Sequence, residues 1–175
     1  MFDSEISDSA KALLQICQQK KLTVATAESC TGGLVAAAIS EIAGSSLVLD
    51  RGFVTYSNMA KQQMIGVTPA TIEFHGAVSP ECAEEMAKGA LAHASVSLAV
   101  SITGIAGPTG AVPGKPIGLV YLCAASRSGR VIARDCRWGD IGRGEVRRKS
   151  VLQALSMLRE LAEKEEPHPP AEGEA

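Results

Sequence analysis

A strand-prone segment, a turn of small polar residues and a helix-prone segment follow one another early in the chain. The strand-prone segment is residues 22–26, the helix-prone segment is residues 34–42, and the turn between them reads Ala27-Glu28-Ser29-Cys30-Thr31-Gly32-Gly33. The first N–H groups of a helix have no intrahelical partner, and the helix dipole places partial positive charge there. Such a turn can hold an anion or an oxyanion, and a serine in it can be a nucleophile. Capping of the helix by Ser29 or Thr31 explains the same residues without catalysis.

Helical and extended patterns continue to alternate along the chain. Apolar residues recur at helical spacing in 4–20, 80–91 and 144–164, and β-prone runs occupy 47–56, 96–102, 117–126 and 131–138. The last two runs flank a hairpin turn at 127–130. This order predicts a three-layer α/β/α single domain with a mixed sheet over residues 1–164. The Pro- and Glu-rich residues 165–175 are expected to form a disordered acidic tail.

Composition excludes several classes of partner and site. The net charge is −2, the pI is about 5.9 and aromatic residues make up 3%, which argues against nucleic-acid binding. No apolar run approaches the roughly 20 residues of a membrane span. The five cysteines occur singly, without the paired spacing of a zinc site, and we expect no metal. Their odd number and the acidic start of the chain favour a cytoplasmic protein.

Three polar clusters fall at or near the ends of predicted strands. They are Ser29–Thr31, Tyr56–Lys61 and Thr103–Gly104. In layered α/β folds, sites gather at the carboxyl edge of the sheet. This coincidence favours a functional interpretation of Ser29 over simple capping.

A serine nucleophile needs a base, and the sequence offers a lysine more readily than a histidine. His75, His93 and His168 do not stand in a recognisable Ser-His-Asp context. Lys61 becomes a candidate if burial lowers its pKa, with Tyr56 as a proton relay. The alternative is that Lys61 is a solvated surface lysine and that Tyr56 packs in the core.

Two further segments are suited to phosphate. The glycine-rich loop 103–110 can present backbone amides to an anion, although it lacks the Gly-Lys-Ser/Thr ending of a Walker A loop. A plain turn is the more common cause of such glycine spacing. Arg143, Arg147, Arg148 and Lys149 form a basic patch, which is either a solvated face or the source of one phosphate-binding arginine.

Four segments strongly resemble the CinA C-terminal domain family, over about residues 5–163. They are the turn 27–33, the stretch Arg51-Gly52-Phe53-Val54-Thr55-Tyr56-Ser57-Asn58 with Lys61, the stretch His75-Gly76-Ala77-Val78-Ser79, and Thr103-Gly104-Ile105-Ala106-Gly107-Pro108. The family includes nicotinamide-nucleotide amidohydrolases. The resemblance therefore implies hydrolysis of the carboxamide of nicotinamide mononucleotide to nicotinate mononucleotide and ammonia, in pyridine nucleotide salvage.

The resemblance also implies roles for particular residues. Ser29 is the expected nucleophile, activated by Lys61 and Tyr56. The expected substrate-binding residues are Cys30, Thr31 and Gly32 around the oxyanion, Thr103, Gly104 and Gly107 along the nucleotide, and Arg147. Arg147 would hold the phosphate or assist Lys61 electrostatically.

No metal or cofactor is implied, and a homodimer is expected by analogy. Two other functions stay open at this point. One is a Ser–Lys amidase for a different small amide. The other is a non-catalytic nucleotide-binding or regulatory module linked to competence or DNA damage.

Overall fold

Five strands form one mixed sheet through the centre of the molecule, in a computed structural model that describes residues 1–167. The strands are β1 (Val24–Glu28), β2 (Leu49–Val54), β3 (Leu98–Gly104), β4 (Leu119–Ser126) and β5 (Val131–Arg137). Their order across the sheet is β2-β1-β3-β4-β5. The first three strands run parallel, and β4 and β5 run antiparallel to their neighbours. The carboxyl ends of β1, β2 and β3 therefore meet at one edge of the sheet.

Helices cover both faces of this sheet. They are α1 (Ser4–Lys20), α2 (Leu34–Ser40), α3 (Asn58–Ile65), α4 (Pro69–His75), α5 (Pro80–His93) and α6 (Arg143–Lys164), with a 3₁₀ turn at Ser45–Leu47. Helices α1, α2 and α6 pack together on one face, and α5, flanked by α3 and α4, covers the other. The predicted three-layer α/β/α domain with a mixed sheet is confirmed.

The core on the α1/α2/α6 face includes many large aliphatic side chains, whereas small residues, among them Ala83, Ala87 and Ala125, lie where α5 packs on the sheet. Leu98, Val100 and Ile102 of β3 belong to the first core. Small residues on the other face let α5 approach closely, and Gly89 of α5 lies against α3. A Cβ added at Gly89 would lie 1.9 Å from the carbonyl oxygen of Ile65. Glycine at this position therefore sets how deeply α3, the helix that carries Lys61, is seated.

Strand β1 occupies residues 24–28 rather than the predicted 22–26. The N–H of Leu22 donates to the carbonyl of Cys17 and so belongs to the end of α1. At the other end, Glu28 pairs with Val54 of β2 and with Ile102 of β3. Glu28 is therefore the last residue of the strand, and its side chain points to the face of the sheet that α2 covers.

Glu165, where the predicted tail begins, is held by several hydrogen bonds. Its carboxylate accepts from Ser128 Oγ (2.8 Å) and Arg130 Nη1 (3.0 Å), and its carbonyl accepts from Lys20 Nζ (2.7 Å). Residues 168–175 of the predicted tail lie outside the described residues. No helix within residues 1–167 has the length and apolarity needed to cross a membrane.

Candidate active site

A cavity of about 340 Å³ opens at the edge of the sheet where β1, β2 and β3 end. Its walls come from the turn after β1, the start of α3, the loop before α5, the loop after β3 and the start of α6. The lining residues are Ser29, Cys30, Tyr56, Asn58, Lys61, Ala77, Val78, 103–107, Thr109, Gly110 and Arg143. The three polar clusters found in the sequence therefore meet in one place.

Ser29 and Lys61 form the polar centre of the cavity. Lys61 Nζ lies 3.0 Å from Ser29 Oγ, and the lysine is only 1% exposed. Nζ also donates to the carbonyls of Thr55 (2.8 Å) and Tyr56 (3.3 Å). Among the described residues, no carboxylate forms an ion pair with Lys61. Desolvation accordingly lowers the pKa of Lys61, and the nearby thiols of Cys82 and Cys30 offset this only in part.

The contacts of Lys61 suit the neutral amine as well as the ammonium. A neutral amine keeps two N–H donors and one lone pair. The carbonyls of Thr55 and Tyr56 can accept the two N–H groups, which leaves the lone pair for the hydroxyl proton of Ser29. The ammonium instead donates to all three oxygens. The geometry therefore supports transfer of a proton from Ser29 to Lys61 without rearrangement of the neighbouring groups.

Glu28, rather than Ser29 or Thr31, caps helix α2. Its fully buried carboxylate accepts from the N–H groups of Gly33 (3.1 Å), Val35 (3.1 Å) and Ala36 (3.0 Å). The sequence predicts that free N–H groups at the start of this helix bind an anion or an oxyanion, and these are the groups concerned. The start of α2 is therefore already occupied by an internal anion.

Oxyanion donors are available in the turn itself. The carbonyl of Ser29 accepts from the N–H of Gly32 (3.0 Å), which closes a turn over residues 29–32. Within the described part of the chain, the N–H groups of Cys30 and Thr31, in the middle of this turn, meet no acceptor. The N–H that follows a nucleophile is the usual donor to a developing oxyanion.

Cys30 also lines the cavity, but its thiol is poorly suited to nucleophilic attack. The residue is 6% exposed, and burial raises the pKa of the thiol to about 11. The thiolate is the reactive form of cysteine. The thiol is therefore protonated near neutral pH, which disfavours Cys30 as a nucleophile.

Tyr56 lies at the mouth of the cavity, and its hydroxyl is directed away from Ser29 and Lys61. The residue is 58% exposed, and its hydroxyl accepts from Arg143 Nη2 at 3.0 Å. Only its backbone carbonyl contacts Lys61. The Tyr56 hydroxyl thus contacts Arg143 rather than Ser29 or Lys61, and the proton relay through it stays a prediction.

Arg143, rather than Arg147, is the arginine of the basic patch that lines the cavity. Its Nη1 donates to the carbonyl of Gly107 at 3.0 Å, which places the guanidinium between Tyr56 and the loop after β3. Arg147 lies one helical turn further on and donates to the carbonyl of Thr31 at 3.2 Å. Arg147 is not among the residues that line the cavity, and the expectation that it holds the substrate phosphate stays a prediction.

The loop after β3 contributes mainly backbone to the cavity. The hydroxyl of Thr103 donates to the carbonyl of Ala77 (2.6 Å) and so ties the loop before α5 to the end of β3. Gly104 and Gly107 line the wall where side chains would not fit. An added Cβ would lie 2.7 Å from Val120 Cγ2 at Gly104 and 2.8 Å from Ile117 Cγ2 at Gly107. Gly32, in contrast, lies beside the guanidinium of Arg147, outside the cavity wall.

The described histidines do not reach the cavity. His75 is exposed, with its ring 3.5 Å from Glu81, and the His93 ring lies 2.9 Å from the carbonyl of Gly89. His168 lies outside the described residues. Residues 1–167 contain no group of three His, Cys, Asp or Glu side chains placed to hold a metal ion.

Two residues of this region were missed by sequence reasoning. Glu28 stood in the motif, but only the position of the strand end shows that its side chain turns back onto α2. Arg143 was one of four clustered basic residues. Arg143 and Arg147 are four residues apart, so both lie on one face of a helix. This spacing was the available signal that Arg143 could approach the same region as Arg147.

Comparison with known proteins identifies relatives along almost the whole chain. The CinA C-terminal domain model matches residues 6–162. A curated relative, nicotinamide-nucleotide amidohydrolase PncC of Escherichia coli (strain K12), is 50% identical over 159 residues, covering 90% of this chain and 95% of that protein. A putative competence-damage inducible protein of Caldanaerobacter subterraneus is 44% identical over 151 residues, covering 86% of this chain but 36% of that longer protein.

Solved structures agree with the sequence relatives. The competence/damage inducible protein CihA from Agrobacterium tumefaciens superposes with a TM-score of 0.91 and is 49% identical, covering 92% of this chain and 98% of that one. A CinA superfamily protein from Escherichia coli gives a TM-score of 0.84 at 31% identity, covering 93% and 92%. Fold, motifs and coverage thus agree, and the chain belongs to the CinA C-terminal domain family.

Proposed function

We propose that this chain is an amidohydrolase that converts nicotinamide mononucleotide to nicotinate mononucleotide and ammonia, in pyridine nucleotide salvage. The observation that carries the proposal is the 3.0 Å contact between Ser29 Oγ and the buried amine of Lys61 at the floor of an open cavity. A relative that is 50% identical over nearly its full length is named as a nicotinamide-nucleotide amidohydrolase, which supports the choice of substrate.

In the first half of the proposed reaction, Ser29 Oγ attacks the carboxamide carbon and Lys61 Nζ takes the hydroxyl proton. The carbonyl π electrons move onto oxygen, and the N–H groups of Cys30 and Thr31 are the donors best placed to stabilise that charge. Lys61 then gives the proton to the departing nitrogen. The C–N bond breaks, ammonia leaves and an ester remains on Ser29.

In the second half, water replaces ammonia. Lys61 takes a proton from the water as its oxygen attacks the ester carbon, and returns it to Ser29 Oγ as the C–O bond breaks. The products are the nicotinate nucleotide and free enzyme. One base therefore serves both halves, which suits a lysine whose burial lowers the pKa of its amine.

The phosphate end of the substrate is assigned to the part of the cavity formed by Arg143 and the loop after β3. Arg143 is the cavity-lining arginine, and its current partners, the Tyr56 hydroxyl and the Gly107 carbonyl, are neutral. A phosphate is a stronger partner for a guanidinium than either of them. Within the described residues, the N–H groups of Ala106, Gly107 and Thr109 also find no acceptor in the loop after β3.

Ammonia release from nicotinamide mononucleotide by the purified chain, without added metal, tests the proposal. We expect release by the wild type and by Ser156→Ala, an exposed serine of α6, but none by Ser29→Ala. Turnover that survives in Ser29→Ala would remove Ser29 as the nucleophile. Binding without turnover would favour the regulatory module, and neither binding nor turnover would indicate another amide.

Two further expectations stay predictions. The homodimer implied by the family resemblance is tested by sedimentation of the purified chain. The cytoplasmic location is tested by fractionation of cells that express it.

A further inference from the structure

Arg147 donates a hydrogen bond to the rear of the nucleophile turn. Its Nη2 lies 3.2 Å from the carbonyl oxygen of Thr31, and its Nε is buried without a partner in the described part of the chain. The residue is absent from the cavity lining, unlike Arg143 on the preceding helical turn. The Arg147 guanidinium therefore contacts the backbone carbonyl of Thr31 and has no ion-pair partner among residues 1–167.

The turn that Arg147 contacts contains two glycines and a threonine hydroxyl that does not help to hold it. Gly32 and Gly33 follow Thr31 with φ of +61° and +100°, and glycine adopts such angles freely. The Thr31 hydroxyl, though fully buried, has no hydrogen-bond partner in the portion that the structure covers. Two backbone hydrogen bonds close the turn locally, from the N–H of Gly32 to the Ser29 carbonyl (3.0 Å) and from the N–H of Leu34 to the Thr31 carbonyl (3.3 Å), and Arg147 adds a contact from another element.

The Thr31–Gly32 peptide links Arg147 to the nucleophile. Its carbonyl accepts from Arg147, and its N–H, on Gly32, donates to the carbonyl of Ser29 at 3.0 Å. A peptide unit is planar, so an arginine that fixes the carbonyl also fixes the N–H. The two unpartnered N–H groups, on Cys30 and Thr31, lie inside the segment closed by this link.

We propose that Arg147 is a positioning residue, which holds the backbone donors of Cys30 and Thr31 in register with Ser29 through the Thr31 carbonyl. It contacts neither the substrate nor Lys61. This inference rests on the proposed function for its substrate assay. It differs from both roles that the family resemblance implied for Arg147, namely phosphate binding and electrostatic assistance to Lys61.

The test compares Arg147→Met and Arg147→Lys with Arg159→Met, an exposed arginine of the same helix that pairs with Glu163. Steady-state kcat and KM for nicotinamide mononucleotide, the pH profile and Tm are measured for each. We expect Arg147→Met to lower kcat about 10- to 100-fold with little change in KM, since misplaced donors act in the transition state. Arg147→Lys should recover part of kcat, and Arg159→Met should match the wild type.

Two kinetic results would overturn the inference. A raised KM with unchanged kcat would make Arg147 a substrate contact. A shifted midpoint of the pH profile with an unchanged plateau would make it an electrostatic partner of Lys61.

A second measurement is independent of the physiological substrate. An alkyl fluorophosphonate phosphonylates an activated serine: the Ser29 Oγ–P bond forms, the P–F bond breaks, fluoride leaves and the proton passes to Lys61. The phosphoryl oxygen then takes the place of the oxyanion. We expect Arg147→Met to react about 10- to 100-fold more slowly than the wild type, and Arg159→Met to react at the wild-type rate.

The two assays separate the possible failures. If the wild type reacts with the probe but releases no ammonia from nicotinamide mononucleotide, the proposed substrate is wrong, and a slow Arg147→Met still supports the positioning role. Equal probe rates in Arg147→Met and the wild type would overturn that role. A wild type that reacts with neither compound would overturn Ser29 as nucleophile and this inference with it.

Discussion

Replacement of Glu28 by glutamine is expected to destabilise the domain strongly, although the two side chains have almost the same shape. The Glu28 carboxylate is fully buried and accepts four hydrogen bonds, from Thr26 Oγ1 and from the N–H groups of Gly33, Val35 and Ala36. An amide has only one acceptor oxygen. In the least unfavourable orientation of the glutamine, the NH₂ group replaces Oε1. It then faces the hydroxyl of Thr26 and the N–H of Ala36.

The magnitude follows from these contacts. A buried donor left unsatisfied, here the N–H of Ala36, costs about 1–3 kcal/mol. The two remaining N–H bonds lose their charge assistance, at about 1 kcal/mol each. The expected loss in the free energy of unfolding is about 3–5 kcal/mol, which lowers Tm by about 6–20 °C in a domain of this size.

Thermal unfolding followed by circular dichroism measures this loss. Glu73→Gln is the matched control, because Glu73 is exposed on α4 and its side chain makes no hydrogen bond among residues 1–167. We expect the control to stay within about 0.5 kcal/mol of the wild type. A Glu28→Gln variant as stable as the control would show that the carboxylate does not hold the start of α2, and the reasoning would be refuted.

Three other predictions concern the cavity. Because burial lowers the pKa of Lys61, kcat/KM should rise with pH to a midpoint below the usual lysine pKa of about 10.4. Between the folded and unfolded pKa values of Lys61 the unfolded chain binds more protons, so the free energy of unfolding should also rise with pH there. Lys61→Met should abolish both that rise and turnover, whereas Lys11→Met, at an exposed lysine of α1, should change neither. Gly89→Ala should lower Tm and kcat although alanine favours helix, because its Cβ would push α3 and Lys61 outward. Gly144→Ala, with open space around it, should not lower Tm; equal Tm values for the two variants would contradict the account of α3. Arg143→Met should raise KM for nicotinamide mononucleotide about 10-fold or more, and an unchanged KM would contradict its assignment to the phosphate.

The layered fold could be predicted because its signals are local. Alternating Leu98, Val100 and Ile102 indicated a strand, and helical spacing indicated the helices on either side. The site was harder to predict, since it depends on how elements dock. The burial of Lys61 follows from the seating of α3 against Gly89, which no local pattern reveals.

Side-chain positions that depend on how a helix docks, or on which way a strand end faces, were the hardest to predict. Arg143 and Arg147 share one face of α6, and only the docked helix separates the arginine that lines the cavity from the one behind the turn. Tyr56 was assigned by its position in a motif, yet its backbone carbonyl rather than its hydroxyl contacts Lys61.

The covalent intermediate on Ser29 is the central claim, and trapping it is the most direct test. Protein quenched in acid during turnover of nicotinamide mononucleotide is digested and analysed by mass spectrometry, and a parallel reaction contains hydroxylamine. We predict an acyl group on the peptide that contains Ser29, a hydroxamate of the nucleotide in the parallel reaction, and neither product with Ser29→Ala. An unmodified peptide together with no hydroxamate, while the wild type still releases ammonia, would mean that water attacks the amide directly and would contradict the account.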